Sequence, residues 1–243
     1  MPSPDFLLDL DAVALRVDGR DILQGVTLAT DVRRLTVLGR NGSGKTTLAR
    51  VIAGLQRPTS GRVRIAGVDV ARDRRGALGA VGILFQNPDH QIIFPTVGEE
   101  LAFGLAQMGL PKREILERVQ ATLAQFGKAD WHDAAIHRLS QGQRQLVCLM
   151  AILAMAPKMI ILDEPFAGLD IPTAMHLARV LDATEAALVH ITHDPLTVRE
   201  YDHALWIDAG AVRMQGDAAE VGAAYLDAMR KLGARDDLSL LSG

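Results

Sequence analysis

The sequence predicts an α/β fold, with a mainly parallel sheet joined by an N-terminal antiparallel β part and an inserted helical block. Three observations predict it. Residues 8–38 alternate apolar and polar side chains about a turn at Asp18-Gly19, the pattern of half-buried antiparallel strands. From residue 159 onward, short apolar runs alternate with helical stretches, as strands of a parallel sheet do with their crossover helices. Between these regions, from about 98 to 157, the periodicity is helical with no convincing strand.

Each element follows from a local signal. The antiparallel stretch ends in a short apolar strand, Leu35-Thr36-Val37-Leu38, and a glycine-rich turn comes next. Residues 45–53 read as a helix stopped by Gly54. Short strands are expected at 62–66 and 80–85, then helices near 98–106, 112–126 and 141–156. These helices define an inserted helical subdomain over approximately 88–157. Strands return at 159–162, 187–191, 204–207 and 211–214, with helical stretches at 172–184 and 195–201. Residues 217–243 read as a C-terminal helix and tail. The helix starts at Asp217 with Glu220 three residues on as a capping box, ends near Gly233, and leaves 234–243 frayed.

The chain's 243 residues, set against a prior of about 150 per domain, allow one large domain or a core with one inserted subdomain. Lys and Arg number 26 against 29 Asp and Glu, a formal charge of -3, so no basic excess exists to neutralise a phosphate backbone. Nucleic acid is therefore not an expected partner. No uncharged run reaches the roughly 18–20 residues that span a bilayer. The N-terminal stretch carries early acids and no basic n-region, so a signal peptide is not expected and the chain should stay in the cytosol. Cys148 is the single cysteine, which leaves no intrachain disulfide and no multi-cysteine metal site.

The chemistry begins at Gly39-Arg40-Asn41-Gly42-Ser43-Gly44-Lys45-Thr46-Thr47, which satisfies G-x-x-x-x-G-K-[ST] between a strand and a helix. Glycines let such a loop wrap a polyphosphate with its backbone N–H groups pointing inward, and the helix N-terminus adds positive partial charge. Lys45 is placed to reach the β/γ-phosphates and Thr46 to bind Mg²⁺. A second segment, Met159-Ile160-Ile161-Leu162-Asp163-Glu164-Pro165, is an apolar strand delivering two acids to its C-terminal edge, where open α/β sheets bind ligands. Asp163 suits a water-mediated Mg²⁺ contact and Glu164 a general base acting on water.

A third segment, Leu139-Ser140-Gln141-Gly142-Gln143, places Ser140 to cap the following helix with Gln143 at its third position. Here the chain resembles the ATP-binding-cassette ATPases, whose signature is written LSGGQ. The family's other motifs follow in order. Gln86 resembles the Q-loop glutamine, which contacts Mg²⁺ and relays nucleotide state to a membrane partner. Ala167-Gly168-Leu169-Asp170 resembles the D-loop, and His193 the switch histidine that contacts the γ-phosphate. The resemblance covers roughly residues 8–216. It implies a RecA-like P-loop NTPase core and a head-to-tail dimer that closes on two Mg-ATP. In that dimer Lys45, Thr46, Gln86 and Asp163 hold the nucleotide from one side and Ser140 and Gly142 from the other, while Glu164 and His193 promote attack by water.

Departures from the family pattern stand beside the matches. Val17 occupies the position where an aromatic often stacks on adenine, Gln141 replaces the first signature glycine, and Leu146 and Ala151 stand where many relatives have arginine. Within the family, Phe85-Gln86-Asn87-Pro88-Asp89-His90-Gln91-Ile92-Ile93-Phe94 followed by Val97-Gly98-Glu99-Glu100 resembles the energy-coupling-factor ATPases. It is most similar to the ATPase subunits of biotin uptake systems, with cobalt or nickel importers next. That resemblance implies ATP hydrolysis at the cytoplasmic face of the inner membrane, with a second copy or a paralogous ATPase. It further implies an integral membrane coupling protein and a small substrate-binding membrane protein. Rival classes, a soluble cassette ATPase acting on DNA or ribosomes and a small-molecule kinase, fit less well. The first would carry long insertions or tandem cassettes, and the second has no use for Ser140 or His193.

Overall fold

The computed structural model describes residues 6–194 and 197–234. It forms two compact units, one from Met1–Asp73 with Ala187–Gly243 and one from Arg74–Ala186.

The first unit opens with β1 (Leu8–Val17) and β2 (Arg20–Thr30), antiparallel about the Asp18-Gly19 turn. Their inward residues, among them Leu8, Leu10, Val13, Leu15, Leu23, Val26 and Leu28, are buried. β3 (Arg34–Leu38) leaves that sheet. Leu35 through Leu38 are all buried, so β3 needs cover on both faces, the condition of a strand with parallel neighbours. After the glycine-rich turn comes α1 (Lys45–Ile52), whose buried Leu48, Ala49, Val51 and Ile52 face β2, β4 and β8. Gly54, with φ of 70°, ends the helix where the sequence placed the stop. β4 (Ser60–Ile65) pairs with β1, and the two-residue β5 (Val68–Asp69) pairs with β4.

The second unit starts with α2 (Arg74–Ala80), a short helix that the sequence pattern did not announce, and β6 (Val81–Leu84). Then come α3 (Val97–Gln107), α4 (Lys112–Gln125) and α5 (Gln141–Ala154), within a few residues of their expected bounds. They share a core of Val97, Leu101, Leu105, Val119, Leu123, Val147 and Met150; each buried aliphatic side chain contributes about 1.5–3 kcal/mol. Leu146 lies in this core and Ala151 packs against it. β7 (Met159–Asp163), buried at every position, runs parallel to β6, and α6 (Ile171–Asp182) follows.

The chain returns to the first unit with β8 (Ala187–Thr192), β9 (His203–Asp208), β10 (Ala211–Asp217) and α7 (Ala218–Gly233). In this unit β10, β9, β3 and β8 lie in that order, with β3 parallel to both β9 and β8. The helix expected at 195–201 is a short 3-10 turn at Thr197–Glu200, and residues 195 and 196 lie outside the described residues. Asp217 caps α7 by accepting from the N–H groups of Ala219 and Glu220 at 2.9 and 3.1 Å. The expected tail falls, but for Ala234, outside the described residues.

Candidate functional site

The first unit holds the phosphate-type loop, Val17 and His193. β3 ends buried at Leu38 and hands the chain to Gly39, where an added Cβ would run into the carbonyl oxygen of Ile207 and the Oγ of Ser43. Gly42 and Gly44 take φ of 78° and 101°, values that L side chains adopt only with strain. Gly44 stands at the N-cap of α1 and offers no side-chain cap, so the helix presents its first N–H groups to whatever fills the loop. The Lys45 side chain is buried and donates to the carbonyl oxygens of Gly39 at 2.7 Å and Arg40 at 2.8 Å. Ser43 Oγ is buried with no hydrogen-bond partner. A folded-back ammonium, an uncapped helix start and an orphan hydroxyl suit a polyphosphate, which supplies acceptors for all three.

Backbone from distant sequence braces this loop. Gly210, in the β9–β10 turn, donates to the Ser43 carbonyl at 2.9 Å, and its own carbonyl accepts from Gln24 N–H at 2.9 Å. The Gln24 amide reaches Ala209 O at 2.8 Å. A Cβ on Gly210 would meet the Ile22 carbonyl. Neither Gln24 nor Gly210 was singled out from the sequence, since only the pairing of residues 24 and 210 across the fold reveals them. Thr46 is exposed and Thr47 half-buried at the start of α1. Val17 is 39% exposed at the end of β1, opposite Arg20. His193 is exposed just past β8, where the Thr192 hydroxyl accepts from Asp194 N–H at 3.0 Å. Three residues earlier, His190 is buried and its Nδ1 lies 2.9 Å from the Tyr201 hydroxyl. Burial pushes the His190 imidazole down to about 4, against a smaller opposing pull from Asp194.

The second unit holds the remaining predicted residues. Because β6 and β7 are parallel with Leu84 beside Leu162, Gln86 and Asp163 leave the same end of adjacent strands. Asp163 is buried and Gln86 exposed. Glu164 turns the chain at φ 49°, and its carbonyl accepts from Ala167 N–H at 3.1 Å. Ser140 caps α5 as predicted: its Oγ accepts from Gln143 N–H at 3.2 Å, while Gln143 Oε1 accepts from Ser140 N–H at 2.8 Å. Gly142 lies against Thr173, where an added Cβ would sit 2.6 Å from Cγ2. Asp170 caps α6 through the Thr173 N–H at 2.8 Å, and the Thr173 hydroxyl and amide hold its carboxyl below the usual range. Nearby, the Glu100 carboxylate accepts from the N–H groups of Ile93 and Phe94, both at 2.9 Å, leaving Ile93 66% exposed. No helix among the described residues is long and apolar enough to cross a membrane.

Comparison with known proteins places the chain in a family. A family profile described as ABC transporter matches residues 26–167. The chain is 50% identical, over 93% of its length and 96% of the relative's, to the biotin transport ATP-binding protein BioM of Rhodobacter capsulatus. It is 37% identical, over 84% of its length and 76% of the relative's, to the energy-coupling factor transporter ATP-binding protein EcfA of Methanocaldococcus jannaschii. Among solved structures, cbiO1 of Clostridium perfringens, part of the ABC transporter complex cbiONQ, aligns with a TM-score of 0.74 at 31% identity, covering 96% of both chains.

Proposed function

Because the chain belongs to the ABC transporter ATPases, of the energy-coupling-factor type, we propose that it hydrolyses ATP as a head-to-tail dimer to drive an importer whose cargo is biotin. The single observation that carries the ATPase chemistry is the loop at 39–47, with a buried Lys45 ammonium held on loop carbonyls that a polyphosphate can replace. Identity of 50% to a biotin transport ATP-binding protein over nearly the whole chain favours the cargo.

In this reading Lys45 exchanges its contacts with Gly39 O and Arg40 O for β/γ-phosphate oxygens. The backbone of Arg40, Asn41, Gly42, Ser43 and Gly44 and the Thr47 side chain line the same cradle. Thr46, Gln86 and Asp163 would hold Mg²⁺, a hard cation that takes few protein oxygens beside water and phosphate. Bound there, the ion neutralises charge on the phosphates. Glu164 accepts a proton from water as it attacks in line, and His193 steadies the γ-phosphate. Ser140, Gly142 and Gln143 close the cradle from the second subunit, with Asp170 at the dimer seam. Val17 meets the base without aromatic stacking. Residues 88–157 form the inserted helical subdomain, and the Ile92-Ile93-Phe94 cluster receives an integral membrane coupling protein at the cytoplasmic face of the inner membrane.

Glu164→Gln tests the chemistry. ATP hydrolysis should fall by at least about a hundredfold while ATP binding persists; turnover near the wild-type rate would remove Glu164 as the base. Extraction of the tagged chain from native membranes tests the partner and cargo. Recovery of a coupling protein with a small substrate-binding membrane protein that retains biotin is the expected result. A retained metal ion would redirect the cargo, and soluble partners alone would sink the transport reading.

A further inference from the structure

The second unit ties together two of its motifs through side chains that no family motif assigned. Gln145, 1% exposed, donates from Nε2 to the carbonyl of Phe85 at 2.9 Å, the residue before Gln86. Its Oε1 is buried without a partner, a cost that an apolar side chain would avoid. Its neighbour Arg144 donates from Nη1 to the carbonyl of Leu139 at 2.7 Å, and its Nε lies 3.1 Å from Asp89 Oδ1. Leu139 immediately precedes the helix cap Ser140, and Asp89 lies in the 3-10 turn Pro88–His90 just past Gln86.

That turn is itself closed. Asn87 Oδ1 accepts from Asp89 N–H at 3.0 Å, and Gln91 Oε1 accepts from Phe85 N–H at 3.2 Å. Residues 85–91 are thus closed on themselves and tied to α5 at two points, Phe85 through Gln145 and Asp89 through Arg144. The Arg144 side chain is 23% exposed and that of Asp89 61%, so water partly screens the ion pair from the Asp89 side. Arg144 Nε makes no hydrogen bond at 3.1 Å from Asp89, so Arg144 holds Leu139 by a hydrogen bond and Asp89 by charge; a planar guanidinium reaches both at once, which an ammonium cannot do in the same geometry.

We propose that Arg144 is a positioning residue: with Gln145 as its buried companion, it fixes Gln86 and Ser140 relative to each other. This rests on the reading of Gln86 and Ser140 as nucleotide-contacting residues. In a head-to-tail dimer Gln86 serves its own subunit's nucleotide and Ser140 the partner's, so Arg144 links the two ATP sites through one subunit.

Two measurements test it on the full chain. In ATP hydrolysis, Arg144→Gln and Asp89→Asn should each lower the Hill coefficient toward 1 and reduce kcat about two- to fivefold, and the double variant should be no worse than the weaker single. Arg144→Lys, which keeps the charge and loses the fork, should fall between wild type and Arg144→Gln. Additive losses or an unchanged Hill coefficient would overturn the proposal. Hydrogen exchange in the nucleotide-free chain reads the tether without turnover: Arg144→Gln should speed exchange over both 85–91 and 139–143. Faster exchange in neither segment, or in only one, would overturn it as well. Absence of wild-type turnover would instead count against the hydrolytic reading, with the exchange result still deciding the tether.

Discussion

The phosphate-type loop and the signature turn both present a helix start to a ligand, yet they are made from opposite materials. At 39–47 the shape is backbone: two glycines at positive φ, a third pressed against the Ile207 carbonyl, and a brace of main-chain hydrogen bonds from Gly210. At 139–143 the shape is side chain, a reciprocal cap between Ser140 and Gln143 at the start of a helix whose first residue is Gln141. The contrast teaches that a glycine is essential where a Cβ has nowhere to go, and dispensable where helix geometry already suffices. Gln141 in place of the usual signature glycine is thus a mild departure, whereas Gly142, pressed against Thr173, is not free to vary.

The largest expected effect comes from Gly39→Ala. The new methyl meets backbone at Ile207, so the loop itself must move, and ATP hydrolysis should drop by at least about a hundredfold with nucleotide binding lost. Acid probes the loop's own unit next. The folded His190 imidazole, held down to about 4 from 6.5, refuses a proton that the unfolded chain takes up. Stability from this group is therefore complete above pH 6.5 and is lost as pH falls toward about 4, by on the order of 3 kcal/mol. Urea unfolding at a series of pH values should show that slope, and His190→Phe should flatten it.

Gly142→Ala should cost about tenfold in turnover, because the added Cβ is 2.6 Å from Thr173 Cγ2. Thr173→Ser removes that methyl and should restore most of the loss, whereas no single side-chain change should rescue Gly39→Ala. Rescue of both, or of neither, would break the comparison. The smallest effect belongs to Gln141→Gly, which should change turnover less than about twofold; a large gain would mean that the side chain had been obstructing the signature turn.

Much of this is legible in the sequence. The strands of the first sheet announced themselves by alternation about Asp18-Gly19, and β7 by an unbroken apolar run that its burial explains. Ser140 and Gln143 formed their capping box as expected, because capping depends on a spacing of three residues. The short α2 was missed because Arg74-Arg75-Gly76-Ala77-Leu78-Gly79-Ala80 carries two glycines and no apolar period. The bracing of Ser43 by Gly210 and the pairing of Asp89 with Arg144 were equally invisible, since each joins residues that only folding brings together. Local chemistry reads from sequence, and the contacts that hold a motif in place do not.

Cys148 carries a consequence for the laboratory. The thiol is fully buried in α5 and pushed up to about 12, chiefly by burial. At mild alkaline pH only on the order of one thiol in ten thousand is then ionised, and thiolate is the reactive form. A maleimide dye should therefore pass over the native chain. A cysteine introduced at Ile93 or Ile171, which are 66% and 76% exposed, becomes the only reactive handle on the molecule, so subunit and membrane contacts can be followed by fluorescence without first removing a native residue.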